Sequence, residues 1–230
     1  MPGASDTAVL VPAAGRGERL GVGAPKALRF LAGEPLLVHA VRRLAAAHCV
    51  AAVVVAAPPG ALAEVAAMLA PVAGAAELIV VEGGASRQES VALALAAVPA
   101  GLPIVLVHDA ARPLVPPSLV DEVAAAVRSG HPCVVPVLPL VDTIRRVGPD
   151  GAVEGVVDRS TLRAVQTPQG FAIPTLLEAH RVATEHATDD AGLAERIGVP
   201  VHLVPGRDEA LKVTRPFDLV IAEALLTSLA

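Results

Sequence analysis

Short runs of aliphatic residues alternate with longer Ala- and Leu-rich segments along the chain. Six runs, at residues 8–11, 50–56, 78–81, 104–107, 133–137 and 201–204, are apolar at consecutive rather than alternate positions, the last interrupted by His202. Strands buried on both faces read this way, which predicts a sheet of parallel strands with helices on each side. The segments between them, 34–47, 61–70, 86–98, 118–128, 174–186 and 216–229, have helical character. Ser86-x-x-Glu89 and Ser118-x-x-Asp121 carry the spacing of helix-start boxes. Strand–helix alternation predicts an α/β fold, Rossmann-like and doubly wound, with a mostly parallel sheet.

One stretch departs from the alternation. Val141-Asp142-Thr143-Ile144-Arg145-Arg146-Val147 and Ala152-Val153-Glu154-Gly155-Val156-Val157-Asp158-Arg159 flank Gly148-Pro149-Asp150-Gly151. Two β-like runs around a Pro-Asp-Gly turn predict a hairpin. It is too polar for a core strand and reads as a projecting β-hairpin arm, at about 139–163. No linker or repeat interrupts the chain, so residues 1–230 are expected to form a single domain.

Composition narrows the function. Of 230 residues, 53% are hydrophobic and 18% charged, which excludes intrinsic disorder as the main state. A net charge of −5 disfavours general binding to nucleic acid or to an anionic membrane. With three Phe, no Trp and no Tyr, there is no aromatic platform for stacking bases. Cys49 and Cys133 both lie in apolar runs and read as buried thiols. No basic segment precedes the first apolar run, so a secretory signal is not expected. The longest stretch without charge or His, 90–107, is broken by Pro99, Gly101 and Pro103. A membrane span needs ~20 mostly apolar residues, so a soluble, cytoplasmic protein is expected.

The first strand runs into Pro12-Ala13-Ala14-Gly15-Arg16-Gly17-Glu18-Arg19-Leu20-Gly21, followed by Pro25-Lys26. A Gly-rich loop at the carboxyl end of such a strand lies where ligands bind, and its small residues let backbone N–H groups approach phosphate. A Walker A loop would require Gly-Lys-Ser/Thr, which is absent. A dinucleotide fingerprint would require Gly at position 20, where Leu stands, and an acid after the second strand, where Val55-Ala56-Ala57-Pro58 has none. What remains is a backbone cradle with two cations, Arg19 and Lys26, suited to a triphosphate. Only two of 18 basic residues are Lys, Lys26 and Lys212. In a chain that otherwise uses Arg, they are candidates for positions requiring a compact ammonium.

Two more strand ends carry chemistry. Residues 104–107 lead into His108-Asp109-Ala110-Ala111-Arg112. An Asp at the end of a central strand can hold Mg²⁺ or a polar substrate group, and Arg112 could bind an anion. His108 reads as a structural hydrogen-bonding residue rather than a base. The third strand leads into Gly83-Gly84-Ala85-Ser86-Arg87-Gln88-Glu89-Ser90. The glycines allow a flat base to approach, and Ser90 could read its edge.

These motifs, together with Asp142-Thr143, Val157-Asp158-Arg159, Thr167-Pro168-Gln169, Thr188-Asp189-Asp190 and Leu211-Lys212-Val213-Thr214-Arg215-Pro216, come in an order that resembles the 2-C-methyl-D-erythritol 4-phosphate cytidylyltransferase family. The resemblance spans nearly the whole chain. It departs at Ala27, where many members have Gln, and at Asp208-Glu209, where Asp-Asn is commoner. The resemblance implies that Ala13, Ala14, Gly15 and Gly17 cradle CTP and that Gly84 and Ser90 read cytosine. It implies that Arg19 and Lys26 stabilise charge on the phosphates. Asp109, Ala110 and Arg112 would line the ribose, metal and substrate region, with Mg²⁺ held mainly by the CTP phosphates. Thr167, Thr188 and Lys212 would hold the methylerythritol phosphate. Thr143 and Arg159 would reach from the arm into the neighbour's site of a homodimer, with Arg159 and Lys212 aiming the attacking phosphate. A phosphate monoester is largely ionised at neutral pH, so attack on CTP needs positioning and charge stabilisation rather than a strong base. The nearest rival readings are a cytidylyltransferase for another polyol phosphate, such as ribitol 5-phosphate, and a non-catalytic nucleotide sensor.

Overall fold

The computed structural model describes residues 5–15, 25–183 and 187–228. At the centre are four parallel strands: β1 (Thr7–Pro12), flanked by β4 (Val50–Ala57) and β6 (Ile104–Val107), with β5 (Glu77–Glu82) beyond β4. The minor strands β2 (Phe30–Leu31) and β3 (Glu34–Pro35) pair with each other outside the main sheet. Apart from the buried Thr7, β1, β4 and β6 are apolar throughout because both faces are covered. Helices α1 (Leu36–Ala45), α2 (Leu62–Leu69) and α4 (Pro117–Arg128) bury Leu37, Val41, Leu44, Val65, Leu119 and Val123 in one core cluster. On the opposite face α3 (Arg87–Ala96) and α5 (Ile173–Val182) bury Val91, Leu95 and Leu176 in a second cluster around Phe171. Each fully buried Leu or Val contributes about 1.5–3 kcal/mol, so the two covered faces fix strand order and direction.

The sheet departs from the expected parallel arrangement on one side. β7 (Cys133–Pro139) does not pair with β6. A short antiparallel strand, β11 (Gln169–Ala172), lies between them, pairing Gln169 with Val107 and Gly170 with Val134. Gly170 is required there: a Cβ would lie 2.7 Å from Val123 Cγ1 and 2.9 Å from Val127 Cγ2 of α4. Antiparallel β10 (Arg163–Val165) pairs with the carboxyl end of β7, and parallel β12 (Val201–Pro205) pairs along the opposite edge, so Val137 has Val165 on one side and Pro205 on the other. The eight-stranded sheet is thus mostly parallel, with β10 and β11 reversed.

The hairpin is present as β8 (Ile144–Val147) paired with β9 (Val153–Val157), outside the main sheet. Val141, Val147, Val153 and Val156 on it are 56–78% exposed.

Three helix boundaries differ from expectation. Pro35 stands at the N-cap in an extended conformation, so α1 begins at Leu36 rather than at residue 34. Pro116 caps α4, and Ser118 makes no side-chain cap; Asp121 instead accepts from the Cys49 and His48 backbone N–H groups at 2.9 and 3.3 Å, tying α4 to the start of β4. A seven-residue helix not anticipated, α6 (Asp190–Arg196), is capped by Asp189, which accepts from Gly192 N–H at 3.1 Å. The last helix, α7 (Pro216–Ser228), agrees with expectation over its described length. No helix among the described residues is long and apolar enough to cross a membrane.

Candidate functional site

The carboxyl ends of β1, β4, β5 and β6 open onto a cleft of about 820 Å³. Its floor is built by backbone. Ala13 N–H bonds the Ala56 carbonyl at 2.8 Å and Gly83 N–H bonds the Ala57 carbonyl at 2.8 Å, so the loops after β1 and β5 are both anchored on β4. They approach so closely that a Cβ on Gly83 would lie 2.5 Å from Ala14 Cβ and 3.1 Å from the Ala57 carbonyl oxygen.

The loop after β5 is braced from within α3. Ser86 caps the helix by accepting from Glu89 N–H at 3.0 Å, and Glu89 Oε2 accepts from Ala85 N–H at 2.8 Å. The capping-box spacing is therefore realised, displaced by one backbone donor. Ser90 Oγ donates to the Ser86 carbonyl at 2.8 Å and accepts from Gly84 N–H at 3.1 Å. Its hydroxyl proton thus goes to the loop, whose shape it fixes.

Of the candidate nucleotide contacts, Ala13, Ala14, Gly15, Gly84, Ser90, Asp109 and Ala110 all line this cleft. Gly17 and Arg19 lie outside the described residues. Lys26 opens a 3₁₀ turn, Lys26–Leu28, and its side chain also lies outside what is described. Lys212 lines the same cleft, and its Nζ is 2.7 Å from Asp109 Oδ2. Two residues far apart in the chain are thereby brought into one ion pair.

Asp109 is held on its other oxygen by Arg87, whose Nε lies 3.3 Å from Oδ1. Burial works to raise its pKa, but the Arg87 and Lys212 charges prevail and hold the carboxyl below the usual range. Arg87 also reaches Asp190 Oδ2 through Nη1 at 2.7 Å, and His180 Nε2 lies 3.1 Å from Asp190 Oδ1. Burial likewise opposes ionisation of Asp190, and the His180 hydrogen bond with the Arg87 charge lowers its pKa all the same. Sequence reasoning gave Arg87 and Asp190 no role. Both stand within motifs it quoted, but nothing local signals that α3 and α6 meet.

Two residues expected to face substrate are turned inward. Arg112 is 8% exposed, donating from Nη1 to the Ala210 carbonyl at 2.6 Å and from Nη2 to the Val165 carbonyl at 3.0 Å. Burial lowers its pKa. Because Val213 N–H also bonds the Ala111 carbonyl at 2.8 Å, the Ala111-Arg112 pair fastens the segment that carries Lys212. This corrects the reading of Arg112 as an anion ligand. Thr167 is 4% exposed and likewise does not line the cleft.

Thr167 instead fixes Asp109 through a chain of defined polarity. The Arg112 carbonyl, 3.1 Å from His108 Nε2, can only accept, so Nε2 carries the ring proton. Burial pulls the His108 pKa down to about 4, so the ring is neutral and Nδ1 is an acceptor. Thr167 Oγ1, at 3.1 Å, therefore donates to Nδ1 and accepts from Asp109 N–H, also at 3.1 Å. His108 is structural, as its residue type and position had indicated.

The remaining candidates are elsewhere. Thr188 is exposed beside a second pocket, with Gly192 and Glu195 of α6. Thr143 and Arg159 are exposed on the arm, away from the cleft of their own chain; Arg159 Nη1 donates to the Val141 carbonyl.

Among the described residues no three His, Cys, Asp or Glu side chains form a metal cage. Asp109 is the carboxylate that lines the cleft among the described residues. Mg²⁺ typically takes one or two carboxylates plus substrate phosphates, and this donor set fits an ion held chiefly by a triphosphate.

Residues 7–228 match the sequence profile of the 2-C-methyl-D-erythritol 4-phosphate cytidylyltransferase family. A protein of that name from Streptomyces avermitilis is 56% identical, over 98% of this chain and 93% of its own. Another from Saccharopolyspora erythraea is 57% identical, over 94% and 97%. The crystal structure of the 2-C-methyl-D-erythritol 4-phosphate cytidylyltransferase from Thermus thermophilus superposes with a TM-score of 0.78 at 43% identity, covering 96% of this chain and 98% of its own.

Proposed function

The chain belongs to the 2-C-methyl-D-erythritol 4-phosphate cytidylyltransferase family, and from that premise we propose how its residues divide the work of cytidylyl transfer. The reaction joins CTP and 2-C-methyl-D-erythritol 4-phosphate to give 4-diphosphocytidyl-2-C-methyl-D-erythritol and pyrophosphate. The observation that carries the assignment of roles is the Lys212–Asp109 pair at 2.7 Å beside the Gly-rich cradle.

Ala13, Ala14, Gly15 and Gly17 cradle the triphosphate, and Gly84 with Ser90 shapes the cytosine pocket. Pro12, Ala14 and Gly83 line the cleft with little side-chain bulk, as a flat pyrimidine ring would need. Arg19 and Lys26 neutralise charge that builds on the leaving pyrophosphate. Lys212 orients the phosphate of the polyol, and Asp109 holds Lys212 in place. Asp109 and the CTP phosphates would hold a Mg²⁺ ion, which would further neutralise phosphate charge. No protein base is required, since the attacking phosphate is already ionised.

The arm completes the site of a second copy. Its exposed valines offer apolar surface that a homodimer would bury, and Thr143 and Arg159 would then reach the partner's site. The protein acts in the cytoplasm, where CTP is present.

Pyrophosphate release tests the assignment, with CTP, ATP and GTP offered against a panel of polyol phosphates. Turnover is expected with CTP and methylerythritol phosphate. Equal turnover with ribitol 5-phosphate would favour the broader polyol-phosphate reading, and nucleotide binding without turnover would favour a sensor.

A further inference from the structure

The geometry points to Arg87 as a positioning residue for cytidylyl transfer, holding Asp109 against Lys212 with Asp190 as its buried anchor. This rests on the proposal that Asp109 and Lys212 serve the acceptor phosphate. Five side chains from five parts of the chain form an unbroken line of alternating charge and hydrogen bonds: Lys212, Asp109, Arg87, Asp190 and His180. The line runs from the open cleft inward. Lys212 and Arg87 side chains are 41% and 33% exposed, Asp109 is 12% and Asp190 only 1%.

Each link leaves the next in one orientation. Arg87 takes Asp109 Oδ1 and Lys212 takes Oδ2, so the carboxylate cannot turn without breaking one contact. Arg87 is fixed in turn because two of its nitrogens serve two different carboxylates, on β6's outgoing loop and on α6. A planar fork offers separate nitrogens to the two carboxylates, whereas the three donors of an ammonium radiate from one nitrogen. Asp190 is fixed by His180 and by the root of α6, where Gln169 of β11 donates to Asp189 at 2.6 Å and accepts from Ala191 N–H at 3.1 Å.

Arg87 and Asp109 line the same cleft as the nucleotide cradle, but the bonds that anchor the cradle's loops are separate from this line. Those loops are anchored on β4 and within α3 by the backbone, Ser86, Glu89 and Ser90 bonds already described. Arg87 should therefore govern the acceptor side of the reaction. Asp190 separates positioning from direct contact, since a side chain 1% exposed touches no substrate.

The test is steady-state kinetics on Arg87→Gln, Arg87→Lys and Asp190→Asn, with melting temperatures and with Lys212→Ala as reference. Arg87→Gln is expected to lower kcat/KM for the polyol phosphate about 10- to 100-fold, the scale of a displaced reacting group. Asp190→Asn should lower it in the same direction with the KM for CTP unchanged, and Arg87→Lys should recover only part of the loss. If Arg87→Gln does not fold, Arg87→Gln/Asp190→Asn replaces it, because that pair leaves no unpaired buried charge. Lowered melting with wild-type kcat and KM would reduce Arg87 to a structural ion pair. A raised KM for CTP in Arg87→Gln, with Asp190→Asn unaffected, would make it a nucleotide ligand; either result overturns the inference. Should Lys212→Ala itself keep full turnover, the underlying assignment fails instead.

Discussion

Lys212 Nζ lies 2.7 Å from Asp109 Oδ2, joining the segment before α7 to the carboxyl end of β6. The Lys212 and Arg87 charges hold the carboxyl below the usual carboxylate range and so favour its ionised form. A lysine so paired is oriented before substrate arrives, and an incoming phosphate dianion competes with Asp109 for it.

Loss of Lys212 should therefore fall on the acceptor. Lys212→Ala is expected to lower kcat/KM for the polyol phosphate by ~10²–10³-fold, the scale of a lost transition-state donor. CTP binding, measured by calorimetry, should stay near wild type. Lys212→Arg should rescue poorly because a planar fork does not replace a point charge. Near-wild-type turnover in folded Lys212→Ala would remove Lys212 from the reaction.

Arg112 acts one step behind that lysine. Its two nitrogens satisfy carbonyls of Ala210 and Val165, and unsatisfied buried carbonyls cost ~1–3 kcal/mol each. Arg112→Lys can reach one carbonyl at most. It should lower the denaturation midpoint and weaken the polyol phosphate reaction, with the KM for CTP little changed. A variant with lowered kinetics and unaltered stability would instead restore Arg112 as a direct anion ligand.

The parts legible in the sequence were those whose chemistry is local. Consecutive apolar residues mark β1, β4 and β6 because both sheet faces are covered, and Pro-Asp-Gly marks the hairpin because turns need those residues. Asp109 and Lys212 stood out by place and by residue type. β11 was not legible: Gln169-Gly170-Phe171-Ala172 has little strand character, and its Gly answers to Val123 and Val127 of a helix far away in sequence. Arg112 and Thr167 were assigned outward because polar residues in a motif suggest a ligand, whereas the fold turns them onto its own carbonyls and imidazole. Arg87 escaped notice for the converse reason: its partners, Asp109 and Asp190, are 22 and 103 residues away.

Gly83 offers a test of the cradle. The two nearest atoms a Cβ would meet are Ala14 Cβ at 2.5 Å and the Ala57 carbonyl oxygen at 3.1 Å, neither at the end of a flexible side chain, with Ser90 Oγ next at 3.2 Å. Gly83→Ala should push the loops after β1 and β5 apart and raise the KM for CTP at least ~10-fold, consistent with the sensitivity of such sites to ~1 Å displacements. The KM for the polyol phosphate should move less. An unchanged KM for CTP would show that these loops do not form the nucleotide floor.

The arm calls for a mixing experiment. Arg159→Ala and Lys26→Ala proteins should each be inactive, one lacking its arm cation and the other its cradle cation. If sites combine residues of two chains, hybrid dimers hold one site free of both defects. Activity should then return on mixing, in step with subunit exchange followed by fluorescence. Exchange without recovery would rule out the shared site.

His108 makes a prediction about stability and pH. It is fully buried and neutral, with its pKa pulled from 6.5 down to about 4, because burial disfavours the cation more than the Arg112 carbonyl favours it. The unfolded chain binds a proton at this residue below pH ~6.5, whereas the folded protein does not until about pH 4. Stability must therefore fall as pH drops through that window, by ~3 kcal/mol from this residue alone, and this contribution levels off below it. The depressed Asp109 and Asp190 act in a different range, costing stability only as pH falls below about 4, where unfolded carboxylates take up protons. Denaturant unfolding of wild type at pH 7, 5.5 and 4.5 should show the loss. His108→Gln, less stable at pH 7, should show a shallower decline over the same interval. Parallel declines in the two proteins would mean that His108 is protonated in the folded state, and the Thr167–His108 hydrogen bond would then run the other way, from Nδ1–H to Thr167 Oγ1.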